Sequence, residues 1–322
     1  MAWRAVAATV PKDDGDQNQD AYEIRPEWIA IADGTSSGFD SGSWARVLAA
    51  HAAMLCGDAE RSGTASAAPA AMTKSRSVDL VMAAGVRLVE VQQRFHSAGR
   101  EQPPNAGSAY VREAQSRGAS STLALARISP DHRRLSLFAL GDTCWFVLRN
   151  GTVRSSFPYH SAAEFAEQPR LIFSTPGRLG AHSRVIALTR AVRALRDPKH
   201  PISDIATNVP FDAETDQLLG CTDAIAQWLL TDDVLDRSHR LQRLLDSLGR
   251  TAATPRSGEK PRKVSAMKWK RLQRRGKSSG TCGGREVDSG FEALVDQERT
   301  ANNLKRDDST VVLASWEQGG QH

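Results

Sequence analysis

Ile29-Ala30-Ile31-Ala32-Asp33-Gly34 is a short apolar run, typical of a strand, that ends in a carboxylate followed by glycine. Such a run places Asp33 at the end of a strand, beside a backbone that a ligand can approach closely. Just upstream, Asn18-Gln19-Asp20-Ala21 carries a second carboxylate. A polar loop over 11–19 separates that motif from a first strand predicted over 3–10.

The same pattern recurs twice far downstream. Leu218-Leu219-Gly220-Cys221-Thr222-Asp223 is an apolar run that ends in Asp, and Asp307-Asp308-Ser309-Thr310 leads directly into the apolar run Val311-Val312-Leu313-Ala314. Three separated runs with carboxylates at their edges could converge on a hard cation. Oxygen-only donors of this kind suit Mg²⁺ or Mn²⁺. The residues alone leave the alternative open that these are turn residues, since Asp beside Gly or Thr commonly serves turns.

Length and composition indicate an ordinary globular chain. The 322 residues, 40% of them hydrophobic, suffice for a large core. No window has the apolar length of a membrane span, and the N-terminus lacks the pattern of a signal peptide. The four cysteines lie far apart without the paired spacing of a zinc site, so we predict free thiols and a reducing, cytoplasmic location.

The net charge of +5 conceals an uneven distribution. Between Arg250 and Lys277 eleven Lys and Arg face one Glu, a local charge of +10 that leaves the rest of the chain at about −5. We predict a flexible basic insertion at 251–284 within a single domain over 1–322. Trp269 between Lys268 and Lys270 could stack on a base, but no recognised motif accompanies it, which makes nucleic acid an unfavoured partner.

The order of the predicted elements favours an α+β fold. Strands come in runs with hairpin signals, and helices come in separate groups, unlike an alternating βαβ chain. Helices are predicted over 44–56, 78–95, 223–230, 241–248 and 291–303, and strands over 3–10, 21–24, 28–32, 121–128, 134–140, 143–148, 171–174 and 309–316, with a tight turn at Arg149-Asn150-Gly151-Thr152.

Six short motifs in a fixed order resemble those of the protein phosphatase 2C family, in particular its short bacterial branch. Each motif alone is weak, but together they span roughly residues 1 to 315. They are Asn18-Gln19-Asp20-Ala21, Ala32-Asp33-Gly34, Gly118-Ala119-Ser120-Ser121-Thr122, Leu140-Gly141-Asp142-Thr143, Thr222-Asp223-Ala224 and Asp307-Asp308-Ser309-Thr310.

The resemblance implies a fold, an activity and a set of roles. The fold is a β-sandwich of two antiparallel sheets flanked by helices. The activity is the hydrolysis of phosphoserine and phosphothreonine in proteins by a water that bridges two Mn²⁺ or Mg²⁺ ions. Asp33 would bridge both ions with the Gly34 carbonyl on one, Asp20 would hold an ion directly or through water, and Asp223 and Asp307 would complete the second ion's shell. Asp142 would help to hold a weaker third ion, or is simply a turn residue at a strand end.

The sequence also departs from the family pattern. Asp33-Gly34-Thr35-Ser36-Ser37 lacks the family's histidine, a proposed general acid, so protonation of the leaving group would need another source. Gln227 stands where a third ion would draw on an acidic residue. The phosphate-gripping arginine is absent, and Lys12, the nearest cation, could bind phosphate as a point charge or simply be solvated.

The sequence therefore predicts a phosphoprotein phosphatase that acts opposite a cytoplasmic serine/threonine kinase, with no membrane partner. The departures motivate one alternative, a catalytically weak pseudophosphatase that binds phosphoproteins as a regulatory module. A further alternative keeps the chemistry and takes a small phosphorylated metabolite as substrate, because fold and metal site do not decide between substrates.

Overall fold

The computed structural model describes residues 2–13, 17–36, 38, 40–61, 118–129, 132–166, 169–174, 205–231, 234–249, 285–286 and 289–317. The helix predicted over 78–95 and the basic segment 251–284 lie outside these residues. The description of the chain as one domain therefore stays a prediction.

Thirteen strands and four α-helices are present among the described residues. The strands are β1 (Ala2–Val10), β2 (Asp20–Ile24), β3 (Trp28–Asp33), β4 (Ser120–Ser121), β5 (Leu123–Ile128), β6 (Arg134–Leu140), β7 (Cys144–Arg149), β8 (Thr152–Phe157), β9 (Ile172–Phe173), β10 (Ala206–Pro210), β11 (Asp216–Cys221), β12 (Arg285–Glu286) and β13 (Ser309–Glu317). The helices are α1 (Ser41–Arg61), α2 (Asp223–Leu229), α3 (Val234–Gly249) and α4 (Ser289–Thr300), and a 3₁₀ turn covers Ala162–Ala166.

Two large sheets contain most of the strands. One has the order β12-β1-β13-β11-β7-β8 and the other β10-β6-β5-β3-β2, while β4 and β9 form a separate small pair. All pairings are antiparallel except the short contact of β12 with β1. The longest pairing joins the two ends of the described chain, Ala2 opposite Glu317 through Val10 opposite Ser309.

The sheets pack face to face, and helices cover the outer faces. Buried side chains from both sheets, such as Ile31 of β3 and Trp145 of β7, share one core between them. A second core joins the outer face of the six-stranded sheet to α2, α3 and α4, and Phe291 is fully buried in it. A third joins α1 to the outer face of the five-stranded sheet, with Trp44 fully buried. The predicted α+β sandwich of two antiparallel sheets flanked by helices is confirmed.

Most of the predicted elements within the described residues are present. The Asn150-Gly151 turn joins β7 to β8 with φ of 52° and 71°, the left-handed conformations that a two-residue hairpin of this type requires. Three strands were not predicted, namely β8, β10 and β12. No helix among the described residues is long and apolar enough to cross a membrane.

Candidate metal centre

Asp20 and Asp33 lie directly opposite each other at the ends of β2 and β3. Along β3, Ile29 and Ile31 face the core between the two large sheets, whereas Ala30 and Ala32 face the core beneath α1, and opposite residues of an antiparallel pair point to the same face. The register therefore places the two carboxylates side by side. The hairpin that the sequence predicts is sufficient to bring them together.

Asp20 is buried and only partly hydrogen-bonded. Its residue is 7% exposed. Thr222 donates its hydroxyl to Asp20 Oδ2 at 3.0 Å, whereas the buried Oδ1 has no hydrogen-bond partner in the described part of the chain. Burial, followed by repulsion from Asp308, raises the pKa of Asp20 well above its usual value. An oxygen in this state is available to a cation.

Gly34 brings bare backbone against the loop that carries Asp20. The Gly34 N–H donates to the Gln19 carbonyl at 3.2 Å. A Cβ at Gly34 would lie 2.7 Å from the carbonyl oxygens of both Gln19 and Ser41, so no side chain fits there. Glycine is thus required by close packing beside Asp33.

Asp223 is the first residue of α2 and reaches the site from the six-stranded sheet. The preceding residue, Thr222, is held to β13 by its N–H, which donates to the Thr310 carbonyl at 3.1 Å, and by its hydroxyl, which accepts from the Thr310 N–H at 2.9 Å. Asp223 is 7% exposed, and its Oδ1 makes no hydrogen bond to any described residue. Burial raises its pKa, and the ammonium of Lys305 opposes that rise.

Asp307 and Asp308 lie in the turn before β13. Asp308 accepts hydrogen bonds from the backbone N–H groups of Lys12 at 2.5 Å and Gln19 at 2.6 Å, which fastens both ends of the loop between β1 and β2. Asp307 is half-buried and forms an ion pair with Lys305, in which Nζ lies 3.1 Å from Oδ2. Asp308 thus has a positioning contact that the sequence pattern did not reveal.

Asp142 follows β6 and joins the same cluster. Burial, and next the carboxylate of Asp223, raise its pKa to about 7. Burial also raises the pKa of Asp33 well above its usual value, and the carboxylates of Asp20, Asp223, Asp142 and Asp307 raise it further, in that order. The structure therefore brings together all five aspartates that the sequence analysis selected.

These aspartates are not in place to hold a cation as they stand. The described His, Cys, Asp and Glu side chains form no group of three that could bind a metal ion. Lys305 lies among them, with its Nζ 2.6 Å from Asp223 Oδ2 and 3.1 Å from Asp307 Oδ2. The donor chemistry nevertheless fits a hard divalent ion, because the cluster is all oxygen, and Asp20 and Asp223 each keep a buried oxygen without a partner.

Three further positions that the sequence analysis singled out belong to the elements around the cluster. Lys12 is held by its backbone beside Asp308, and its ammonium makes no hydrogen bond or ion pair with the other described residues. Thr35, in place of the family's histidine, shares a 2.5 Å hydrogen bond with the Ser120 hydroxyl. Gln227 lies one helical turn after Asp223. None of these three supplies an acid to the site.

Sequence reasoning missed Arg299 and Lys305. The Arg299 guanidinium, at the end of α4, donates to the carbonyls of Pro11 at 3.0 Å and Lys12 at 3.3 Å, and to the Asp307 carbonyl. It joins the two loops that carry the aspartates. For Lys305 a signal exists, since it stands two residues before Asp307 in the charged run Lys305-Arg306-Asp307-Asp308. For Arg299 the sequence offers none.

Comparisons with solved structures find serine/threonine phosphatases over nearly the whole chain. A photosystem II phosphatase, PBCP, aligns with 15% identity and a TM-score of 0.46, and covers 98% of this chain and 99% of its own. The phosphatase PstP of Mycobacterium tuberculosis aligns with 16% identity and a TM-score of 0.40 over 99% of this chain and all of its own. Stp1 of Staphylococcus aureus aligns with 12% identity and a TM-score of 0.42 over 99% and 96%.

No model of a protein family matches the sequence, and a search of curated proteins also finds no match.

Proposed function

We propose that this chain is a metal-dependent protein phosphatase that hydrolyses phosphoserine and phosphothreonine. The observation that carries the proposal is the convergence of Asp20, Asp33, Asp142, Asp223 and Asp307, which come from both sheets and lie within electrostatic reach of one another. So many buried carboxylates repel one another and raise the free energy of the folded chain. Such an arrangement is typical of a site whose ligand is positive.

The candidate metal ligands lie on two sides of the cluster, one for each proposed ion. Asp20 and the Gly34 carbonyl would hold one divalent ion, Asp223 with Asp307 would hold a second, and Asp33 would serve both. When bound, the ions lower the pKa of a coordinated water and neutralise the phosphate, which is the chemistry that phosphoryl transfer to water requires. Asp308 and Arg299 hold the loops that carry these carboxylates.

Lys12 would contribute a positive charge next to the phosphate. Its backbone is held by the Asp308 carboxylate at its N–H and by Arg299 at its carbonyl, so the position of its backbone beside Asp308 is defined. A lysine acts there as a point charge, without the two parallel hydrogen bonds that arginine offers. Asp142, with its pKa of about 7, would share a proton or help to hold a weak third ion.

The substrate class follows from the six ordered motifs that resemble protein phosphatase 2C. We take the substrate to be a phosphorylated protein, its kinase to be a cytoplasmic serine/threonine kinase, and the ions to be Mn²⁺ or Mg²⁺. The basic segment 251–284 is a candidate for docking an acidic partner.

A pseudophosphatase is the second candidate. The observation in its favour is that Lys305 contacts Asp223 and Asp307, the two aspartates proposed for the second ion. A chain of this kind would bind phosphoproteins without turnover. It would also bind Mn²⁺ poorly.

The deciding experiment measures hydrolysis of p-nitrophenyl phosphate and of a phosphothreonine peptide with Mn²⁺, with Mg²⁺ and with EDTA. We expect turnover that requires the divalent ion and stops in EDTA. Turnover that persists in EDTA contradicts a metal-dependent mechanism. An absence of turnover with both substrates, together with poor Mn²⁺ binding by calorimetry, favours the pseudophosphatase.

A further inference from the structure

Lys305 occupies the junction between two carboxylates of the candidate centre. Its Nζ lies 2.6 Å from Asp223 Oδ2 and 3.1 Å from Asp307 Oδ2. An ammonium carries three N–H donors, so both contacts can form at once. The backbone favours this position, because the Asp307 N–H donates to the Lys305 carbonyl at 3.0 Å and folds the turn back on itself.

The two partners of Lys305 come from different parts of the chain. Asp223 begins α2, whereas Asp307 precedes β13, so the ammonium links two elements that are 84 residues apart in sequence. It places one positive charge among carboxylates that otherwise repel one another, including Asp33 and Asp142. Arg299, which lies close by, directs its guanidinium at backbone carbonyls and does not serve this purpose.

The Lys305 side chain is also able to move away from the two aspartates. Its side chain is 51% exposed, whereas that of Asp223 is 10% exposed. A half-exposed ammonium on a flexible four-carbon stem can turn into solvent without unfolding the turn. A divalent ion in its place would bring twice the charge, and Asp223 Oδ1, which has no hydrogen-bond partner among the described residues, would be a further donor for it.

We propose that Lys305 is a built-in cation that holds the Asp223–Asp307 side of the cluster and competes with a divalent ion for it. The inference rests on the proposed function, because it assumes that these aspartates bind metal. It predicts that the two sides of the cluster bind metal unequally. The Asp20–Asp33 side accepts an ion first, and the Asp223–Asp307 side accepts one only when Lys305 is displaced.

The test is a titration with Mn²⁺ followed by the electron paramagnetic resonance of free Mn²⁺, which measures binding without activity. Lys305→Met keeps an unbranched side chain that is one atom shorter and removes its charge. Arg306→Met is the matched control, because it removes the same charge from the next residue, whose guanidinium pairs with Asp13 and not with the cluster. We expect Lys305→Met to tighten the weaker Mn²⁺ site by about tenfold or more, and Arg306→Met to leave it unchanged.

A second measurement, of melting temperature, tests the same role of Lys305 if Lys305→Met folds poorly. In EDTA, Lys305→Met should melt at a lower temperature than the parent chain, and saturating Mn²⁺ should restore it. Lys305→Arg, which keeps the charge, should resemble the parent chain in both measurements.

The outcomes separate this inference from the proposed function. Equal Mn²⁺ affinity in Lys305→Met and the parent chain, with normal metal-dependent turnover, overturns the role of Lys305 and leaves the phosphatase intact. Tight Mn²⁺ binding by Lys305→Met alone, with an inactive parent chain, supports the role of Lys305 and contradicts the phosphatase. No Mn²⁺ binding by either chain overturns both.

Discussion

Two buried carboxylate sites in this molecule have opposite electrostatics. The first is Asp216, whose side chain is fully buried at the start of β11. Arg149 donates to it from Nε at 2.6 Å and from Nη2 at 2.9 Å, Arg154 from Nη1 at 3.4 Å, and the Asp212 N–H at 2.8 Å. Burial alone would raise the pKa of Asp216, but these donors outweigh it and hold the pKa below its usual value.

The second site is the aspartate cluster. There, burial raises the pKa of Asp20, Asp33 and Asp223, and neighbouring carboxylates raise each of them further. Asp20 receives one hydroxyl hydrogen bond and keeps one buried oxygen unpartnered. At the first site, guanidinium groups pair with the carboxylate and offset its negative charge. At the second site, the negative charge of the carboxylates is only partly offset.

The difference in partners distinguishes a carboxylate that stabilises the fold from carboxylates that are suited to binding a cation. A carboxylate with complete partners stabilises the fold and has no reason to bind anything else. A set of carboxylates that raises the free energy of the folded chain persists only where another property depends on it. This contrast separates the two kinds of aspartate more clearly than burial does, because Asp20 and Asp216 are similarly buried.

The largest expected effect is that of Asp33→Asn. It should reduce metal-dependent turnover by on the order of a thousandfold, since it removes the charge shared by both sides of the proposed centre. In EDTA its free energy of unfolding at neutral pH should be unchanged or higher, because a repelled charge is lost. Turnover and urea unfolding of the same preparation check both. Near-normal turnover by a folded Asp33→Asn chain would contradict the assignment.

Asp216→Asn should produce the reverse pattern. The amide cannot accept from two arginines as a carboxylate does, so we expect a loss of about 2 kcal/mol in the free energy of unfolding. Turnover per folded molecule should be unchanged. Urea unfolding followed by tryptophan fluorescence measures the loss. If Asp216→Asn lost turnover and kept its stability, the contrast between the two sites would fail.

The pH dependence of stability should distinguish the two sites by sign. A raised folded-state pKa means that the unfolded chain releases protons that the folded chain retains, so stability falls as pH rises. For Asp142, with a folded pKa of about 7, this window runs from the usual carboxyl value of 3.8 to about 7. In EDTA we therefore expect stability to fall by on the order of 1 kcal/mol between mildly acidic and neutral pH. The lowered pKa of Asp216 acts in the opposite sense and reduces stability only as pH falls below the usual carboxyl range.

Denaturant unfolding across this pH range, with EDTA and with Mn²⁺, measures the slope. Mn²⁺ should remove the decline towards neutral pH, and Asp142→Asn should reduce it in EDTA. A metal-free chain that gained stability steadily up to neutral pH would show that the cluster is not under repulsion.

The sequence predicted the fold and the members of the cluster because both have local signals. Apolar runs that end in Asp give the strands, and the short connection between β2 and β3 sets Asp20 opposite Asp33. The missed strands are those without such a signal. In β8, Thr-Val-Arg-Ser-Ser-Phe, and in β10, Ala-Thr-Asn-Val-Pro, few residues are apolar, and both form as edge strands beside β7 and β6.

The state of the cluster could not be predicted, because it depends on contacts between distant residues. Asp216 and Asp223 both border the apolar residues of β11, one before them and one after. That Asp216 meets two arginines and Asp223 meets Lys305 follows from strand register and from the turn before β13. A sequence motif identifies a carboxylate, and only the tertiary structure shows whether a cation already satisfies it.

The smallest expected effect is that of Lys12→Met, which extends the comparison from carboxylates to cations. Lys12 lies beside the cluster with no ion pair to the other described residues, whereas the guanidinium of Arg306 is already paired with Asp13. If Lys12 contributes a point charge to phosphate binding, its loss should raise the KM for a phosphothreonine peptide about threefold and leave kcat unchanged, since an exposed charge contributes less than about 1 kcal/mol. Steady-state kinetics at low salt, with Arg306→Met as the control, measures this. Equal KM values in the two variants would make Lys12 a solvated loop residue and would leave phosphate binding to the proposed metal ions.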